Sequence, residues 1–308
     1  MKNILLLFAA ITFASCSSGP KTSNEYYDRA VKRAKSNQYD AAIADYSKVI
    51  ELDPQYEDIY YERGIANKKL KQYKSAIEDF TKAIELQPSL ESMYPYAFYE
   101  RGNARLELEQ YDAAIVDYSK AVELLPNFFD SYKGRGDAYS ELQKYEAAIA
   151  DYSKAIELHP EYVVAYCERG LVKANLGDYE TAMTDFTKAI DIAPTYALAY
   201  YGRGYIKLKL KQYEAAVEEY SIAIELEPNY TNAYYHRGVA RAYLQQNDAA
   251  ISDYSKAIEL NPSDPDTYYN RGILLYEIGQ EKEGCLDLKH AEQLGSKEAK
   301  EYIEKYCK

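Results

Sequence analysis

A chain of 308 residues with 47% hydrophobic content is long enough for two ordinary domains, and 49 Asp and Glu against 37 Lys and Arg leave a net charge of -12. That acidity argues against a nucleic-acid partner, because affinity for phosphate backbones rests on lysine and arginine releasing counterions. The 36 Tyr, beside 7 Phe and no Trp, point to a repeated source of tyrosine, so fixed-period repetition has to be tested before any division into domains.

At the N-terminus, Lys2 precedes an apolar run from Ile4 to Ala14 broken only by Thr12. Such a run is too short to span a hydrocarbon core of about 30 Å as a helix, and it reads as an export signal. The following Phe13-Ala14-Ser15-Cys16 resembles a bacterial lipobox, with Phe13 where Leu is usual. The resemblance implies a lipoprotein signal peptide over residues 1–15 and acylation of Cys16 by chains such as palmitate. The other reading is an ordinary secretory signal with a cysteine nearby. Several acyl chains, each contributing about 0.8 kcal/mol per buried methylene, would hold the protein stably on a membrane. The expectation is therefore a lipid anchor in the bacterial cell envelope, with Ser17 favouring the outer membrane facing the periplasm. Residues 16–22 then form a polar tether.

Beyond the tether, Gly64, Gly102, Gly136, Gly170, Gly204, Gly238 and Gly272 stand 38 residues apart at the first step and 34 at every later one, and Ala30 lies 34 before the first. From Ala30 to Gly238, each is followed 24 residues later by a proline, Pro54 to Pro262. Between them, apolar residues recur at helical spacing: Ala148, Ile149, Tyr152, Ala155 and Ile156 share one helix face. Short polar breaks such as Lys71-Gln72 divide each period, so each predicts two helices, the second stopped by proline. Glycine on the first helix and alanine on the second, such as Ala148, let the backbones approach while Tyr or Phe at 46, 80, 118, 152, 186, 220 and 254 fills the wedge beside them.

Eight such units begin near Ser23, Glu57, Pro95, Phe129, Val163, Ala197, Thr231 and Pro265, filling residues 23–296. The interval from Pro88 to Gly102 is longer by four residues, about one helical turn, within 89–98. Either the third unit's first helix starts a turn early or, as we favour, the segment protrudes and exposes Tyr94. The eighth unit departs from the pattern with Gly284, Leu288 and Ser296, and a last helix from Lys297 to Tyr306, within residues 297–308, is expected to cap it.

The spacing of Tyr166, Gly170, Ala182, Phe186, Ala189 and Pro194 resembles the tetratricopeptide repeat. The resemblance implies an all-α, right-handed α-solenoid of helix-turn-helix repeats that binds proteins or peptides, with its first helices lining a concave groove. One groove position gives Tyr27, Tyr61, Tyr99, Lys133, Cys167, Tyr201, Tyr235 and Tyr269. Four residues on stand Val31, Ile65, Asn103, Asp137, Leu171, Tyr205, Val239 and Ile273. These tyrosines either present contact area and a hydroxyl to a partner segment or pack between neighbouring helices; both readings stand. Lys133 and Cys167 interrupt the tyrosines beside Asp130 and Asp137, which suggests a pocket that sets specificity. The family's clamp for a C-terminal carboxylate uses paired Lys and Asn, and those positions here hold Tyr with Val or Ile.

Every unit also carries an arginine just before its Gly position and an acid sixteen residues later, as in Arg63 with Asp79 and Arg169 with Asp185. The two fall on antiparallel helices of one hairpin and suit a bidentate pair, read as a structural ladder. A stripe of arginines for an acidic ligand is the alternative. Cys285 and Cys307 straddle the turn at Gly295-Ser296 and are a candidate disulfide for an oxidising periplasm, worth about 3 kcal/mol, the alternative being two packed thiols. Cys167 has no evident partner.

The three histidines, His159, His236 and His290, sit in different units, and no phosphate loop, dinucleotide fingerprint, Cys-x-x-Cys or His-Glu-x-x-His occurs. No enzyme activity, metal, cofactor or small-molecule substrate is expected. The leading expectation is a membrane-tethered scaffold; the alternative is an accessory subunit of a secretion or surface-fibre assembly machine.

Overall fold

The computed structural model describes residues 22–56, 58–86 and 94–307. The signal segment and Cys16 lie outside the described residues. Within them are seventeen α-helices and no strand. One compact unit, ending at Pro126, pairs α1 (Ser23–Lys35) with α2 (Tyr39–Leu52), α3 (Ile59–Lys69) with α4 (Tyr73–Leu86), and α5 (Tyr94–Leu106) with α6 (Tyr111–Leu124). A second, from Asn127, pairs α7 (Phe129–Glu141) with α8 (Tyr145–Leu158), α9 (Val163–Asn175) with α10 (Tyr179–Ile192), and α11 (Ala197–Lys209) with α12 (Tyr213–Leu226). It continues with α13 (Thr231–Tyr243) and α14 (Asn247–Leu260), α15 (Pro265–Glu277) and α16 (Glu281–Gln293), and ends in α17 (Lys297–Tyr306).

Local chemistry sets these boundaries. Each hairpin turns on one residue in the left-handed region: Asn37, Lys71, Glu109, Gln143, Lys211 and Gln245 at φ between 56° and 60°, and Gly177 and Gly279 at 84° and 86°. A left-handed residue ends an α-helix by redirecting the chain, at a steric cost for any side chain but glycine. Second helices stop where the residue before proline is forced into extended backbone, as at Asp53, His159 and Ala193. Start signals add to this: Thr22 and Glu25 form a capping box on α1, and Ser296 caps α17 through the Ala299 amide.

The wedge is filled as the spacing predicts. Tyr46, Phe80, Tyr118, Tyr152, Phe186, Tyr220 and Tyr254 are all buried, as are Ala42, Ala76, Ala114, Ala148, Ala182, Ala216 and Ala250 across the hairpins. A methyl group on Gly64 would lie 2.7 Å from the Phe80 ring, and one on Gly136 2.7 Å from the Tyr152 ring. In the eighth repeat Gly272 and Gly284 meet backbone to backbone, and the smaller Leu288 fills the space left. That approach explains why this repeat needs a second glycine where the others have alanine.

The insertion is a correction. Helix α5 begins eight residues before Gly102 where α7 begins seven before Gly136, and both helices are 13 residues long. Tyr94 is half-buried, its ring edge-on to Phe98 at 5.0 Å, and is not the exposed protrusion expected. In that first turn the exposed ring is Tyr96. Residues 89–93 lie outside the described residues.

At the C-terminal end Cys285 and Cys307 are joined by a disulfide with a Cα–Cα distance of 5.7 Å. Helix α17 covers Leu288 and Ala291 of α16 with Ala299, Tyr302 and Ile303.

Candidate functional site

Within each unit, successive first helices touch one another: α3 with α5 in the first, and α7, α9, α11, α13 and α15 in sequence in the second. Their side chains at the two groove positions therefore lie on one face. Five of the tyrosines there share a single arrangement, each tilted against the core ring of its own repeat: Tyr27 on Tyr46, Tyr61 on Phe80, Tyr99 on Tyr118, Tyr201 on Tyr220 and Tyr235 on Tyr254. Centroid distances are 5.8–6.3 Å and interplanar angles 49–57°. All five are half-buried, as are Tyr205 and Tyr269. One face of each ring is held by the core, and some rings have a second neighbour, Tyr56 on Tyr27, Tyr230 on Tyr201, and His236 on Tyr201 and Tyr235, while part of each ring stays exposed. Burial pushes the Tyr201 and Tyr235 hydroxyls up to about 12 and raises Tyr61 as well, so all are neutral hydrogen-bonding groups at physiological pH.

The interruption of the tyrosines resolves into two different situations. Lys133 donates to Asp137 Oδ2 at 2.7 Å, and the Tyr152 hydroxyl donates to Asp137 Oδ1 at 3.0 Å. Burial raises the Asp137 carboxyl while Lys133 pulls it back, and Glu168 is raised by burial and by Asp137. Both Lys133 and Asp137 remain half-buried at the groove. Cys167 does not: it has no exposed surface and packs with Ala174, Ala182, Phe186 and Ile206. Burial pushes its thiol up to about 12, so it is a small core residue and not a groove residue. The nearby Asp130 carboxylate accepts from the Tyr162 hydroxyl at 2.8 Å.

The arginine–acid pairs occur in all eight hairpins. Arg63 places Nη2 2.6 Å from Asp79 Oδ1, and Arg169 places Nη2 and Nε 2.6 and 3.0 Å from the two oxygens of Asp185. The acids are nearly fully buried and the arginines partly so. Each guanidinium also lies 5.3–5.9 Å over the ring three residues before it, from Tyr26 under Arg29 to Tyr268 under Arg271. Held by carboxylate and ring together, these arginines are committed to the fold.

Two parts of this network were missed in the sequence. A hydroxyl right after the core aromatic reaches the next repeat's arginine: Ser47 to Arg63, Thr81 to Arg101, Ser153 to Arg169, Ser221 to Arg237 and Ser255 to Arg271, at 2.8–3.0 Å. A second cation four residues beyond the arginine doubles the pairing, as Arg33, Arg105, Lys173, Lys207 and Arg241 do at 2.6–2.8 Å. Both sets follow the 34-residue period and were legible as Ser or Thr and Lys or Arg in fixed register. His236 was also passed over; four tyrosines surround it, Tyr201, Tyr205, Tyr220 and Tyr235, at 4.9–5.9 Å between centroids.

Stacked helical hairpins with a half-buried aromatic face are the architecture of a protein-interaction scaffold. The sequence matches the family described as TPR repeat over residues 32–71, 136–177, 173–211, 204–244 and 240–279, and the tetratricopeptide repeat over 57–90 and 95–128. The chain belongs to the tetratricopeptide repeat family. Among solved structures it is similar to the APC/C hetero-tetramer Cut9–Hcn1, with a TM-score of 0.69 and 16% identity over 96% of this chain and 57% of that one. The chain thus spans little more than half the length of that relative. A tetratricopeptide repeat protein from Parabacteroides merdae gives a TM-score of 0.67 and 21% identity over 83% of this chain and 100% of that one. MamA gives 0.52 and 26%, over 56% and 92%. No match was found among curated protein sequences.

Proposed function

We propose that this protein is an adaptor tethered to a bacterial envelope membrane through an acylated Cys16, and that it holds segments of partner proteins along the tyrosines of its first helices. The observation that carries this reading is the repeated half-burial of Tyr27, Tyr61, Tyr99, Tyr201 and Tyr235, each fixed against a core ring and still partly exposed. Rigid amphipathic rings offer large contact area at little conformational cost. The anchor is supported by the lipobox resemblance, and the specificity pocket by the Lys133–Asp137 pair. No catalysis, cofactor or small-molecule substrate is part of the proposal.

The test is proximity crosslinking of the lipidated protein in its native membrane, comparing wild type with a variant in which Tyr61, Tyr99, Tyr201 and Tyr235 are all alanine. A defined set of envelope proteins captured by wild type and lost by the folded variant is the expected result. Undiminished capture would make the tyrosines packing residues only. Replacement of Cys16 by serine should move the protein out of the membrane fraction.

A second reading, an accessory subunit of a secretion or surface-fibre machine, draws on the C-terminal end. There a shallow cleft of about 530 Å³ is lined by Tyr276, Leu286, Tyr306 and the disulfide, and Leu286 and Tyr306 are exposed. Loss of capture on changing Leu286 and Tyr306 to serine, with the groove intact, would favour it.

A further inference from the structure

The hydroxyl of the core tyrosine meets two places in this repeat: a side chain on its own first helix, fifteen residues earlier, and one on the next first helix, sixteen residues later. Where the core residue is tyrosine, oxygen acceptors tend to stand there. Tyr152 donates to Asp137 and feels Glu168 beyond it, and Tyr118 donates to Asn103 Oδ1 at 2.8 Å. Tyr46 makes no hydrogen bond among the described residues, but the Glu62 carboxylate stands at its second place. Where the core residue is Phe80 or Phe186, the first place holds the aliphatic Ile65 or Leu171. In the first and seventh repeats Val31 and Val239 hold the first place, and Glu62 and Asn270 bring an oxygen acceptor at the second.

The sixth repeat breaks the rule. Tyr220 keeps its hydroxyl, but the two places are Tyr205 and His236, with no carboxylate or amide oxygen at either. Tyr220 is fully buried, and its hydroxyl has no hydrogen-bond partner among the described residues. Polar rings and a cation gather around it instead. The Tyr201 and His236 rings lie 5.8 and 5.9 Å from the Tyr220 ring. The Lys209 ammonium sits 5.0 Å from the centre of the Tyr205 ring. His236 Nδ1 lies 2.9 Å from the Asn232 carbonyl oxygen, an arrangement that places its proton there and leaves Nε2 an acceptor that makes no hydrogen bond to Tyr220. The covering rings of Tyr201, Tyr205 and His236 are half-buried, so the hydroxyl is one side chain below the groove. A buried donor without an acceptor is costly, and such groups in native proteins call for a partner.

We infer that the Tyr220 cluster receives the side-chain carboxylate of an Asp or Glu from a partner segment lying across α11 and α13. That carboxylate takes the role Asp137 plays two repeats earlier. Tyr205 turns aside to admit it, Tyr201 and Tyr220 donate to its oxygens, and Lys209 supplies the opposite charge. Tyr and His residues inside the groove make this site, which is distinct from a clamp of paired lysine and asparagine on a chain terminus. The inference rests on the groove being a peptide-binding surface, as proposed above.

The test uses the full-length protein in detergent and an array of N-acetylated, C-amidated dodecapeptides of randomised sequence, so that no terminal carboxylate is present. Binders should carry Asp or Glu at one fixed position, and its change to Asn or Gln should weaken binding by about tenfold on wild type. On Tyr220→Phe, a change the chain itself makes at Phe80 and Phe186, the same peptide pair should differ by less than about twofold. Binders without a fixed acid, or an acid whose removal costs the same on both proteins, overturn the carboxylate assignment and leave the groove reading standing. No binders at all, or binders indifferent to the fourfold tyrosine-to-alanine change, overturn the groove reading and this inference with it.

Discussion

Tyr152 and Tyr220 hold equivalent places in the fourth and sixth repeats, yet one donates to a carboxylate and the other donates to nothing in the described chain. Replacing each by phenylalanine should therefore have opposite consequences. Tyr152→Phe strips a bond from a desolvated Asp137 and should cost about 1–2 kcal/mol, whereas Tyr220→Phe removes an unmatched buried hydroxyl and should be neutral or stabilising by about 1 kcal/mol. Urea unfolding of the two variants compares them directly; a larger loss for Tyr220→Phe would contradict the assignment. The arginine ladder gives a second comparison. Arg169→Ala leaves the buried Asp185 with Lys173 alone and severs the link to Ser153. It should lose about 2–4 kcal/mol, and Arg169→Lys should recover only part, because an ammonium cannot make the paired contact.

Among the elements, the hairpin turns carry removable strain. Gln143 and Lys211 sit at φ 56° and 60° in turns where Gly177 and Gly279 do the same work without a side-chain clash. Gln143→Gly and Lys211→Gly should each raise stability by about 0.5–1 kcal/mol, seen as a higher Tm; a lowered Tm would mean that the side chains do more than turn. The capping helix has its own test. With Cys285 and Cys307 separated by 22 in sequence, the disulfide should contribute about 3 kcal/mol to holding α17. In Cys307→Ser, amide exchange should accelerate first across residues 297–306 and the newly uncovered part of α16, while α7–α14 stay protected.

For the molecule as a whole, the number of buried tyrosines sets its alkaline limit. Tyr46, Tyr61, Tyr152, Tyr201, Tyr220, Tyr230, Tyr235 and Tyr254 all have hydroxyls raised above the ordinary value of 10.0, with burial the leading cause. In each, the unfolded chain releases its proton first as pH rises, so the folded state is progressively disfavoured. Their contribution is fully present below pH 10 and is lost above it as pH climbs toward the folded values. Thermal unfolding should show a Tm that falls steeply above about pH 10, with tyrosinate absorbance appearing together with unfolding and not before it.

The repeat unit was legible because its chemistry is local and redundant. Glycine, alanine, core aromatic and proline recur in one register, and a hairpin that cannot bury its own apolar face must stack on its neighbours. The arginine–acid ladder was legible for the same reason: sixteen residues across a hairpin bring two helices face to face every time. The insertion was not, since four extra residues can lengthen a helix or a loop with equal ease, and it is packing of Tyr94 on Phe98 that leaves Tyr94 half-buried. The fate of Cys167 was likewise open, because its position is at the groove by period but under its neighbours by packing. What the sequence determined by itself is the helical period, the identity of the core and the pairing of charges, all governed by contacts within a hairpin or between adjacent ones. What only the tertiary structure decided is which polar groups are satisfied. That depends on three helices meeting at one hydroxyl, and on which side chain each of them brings there.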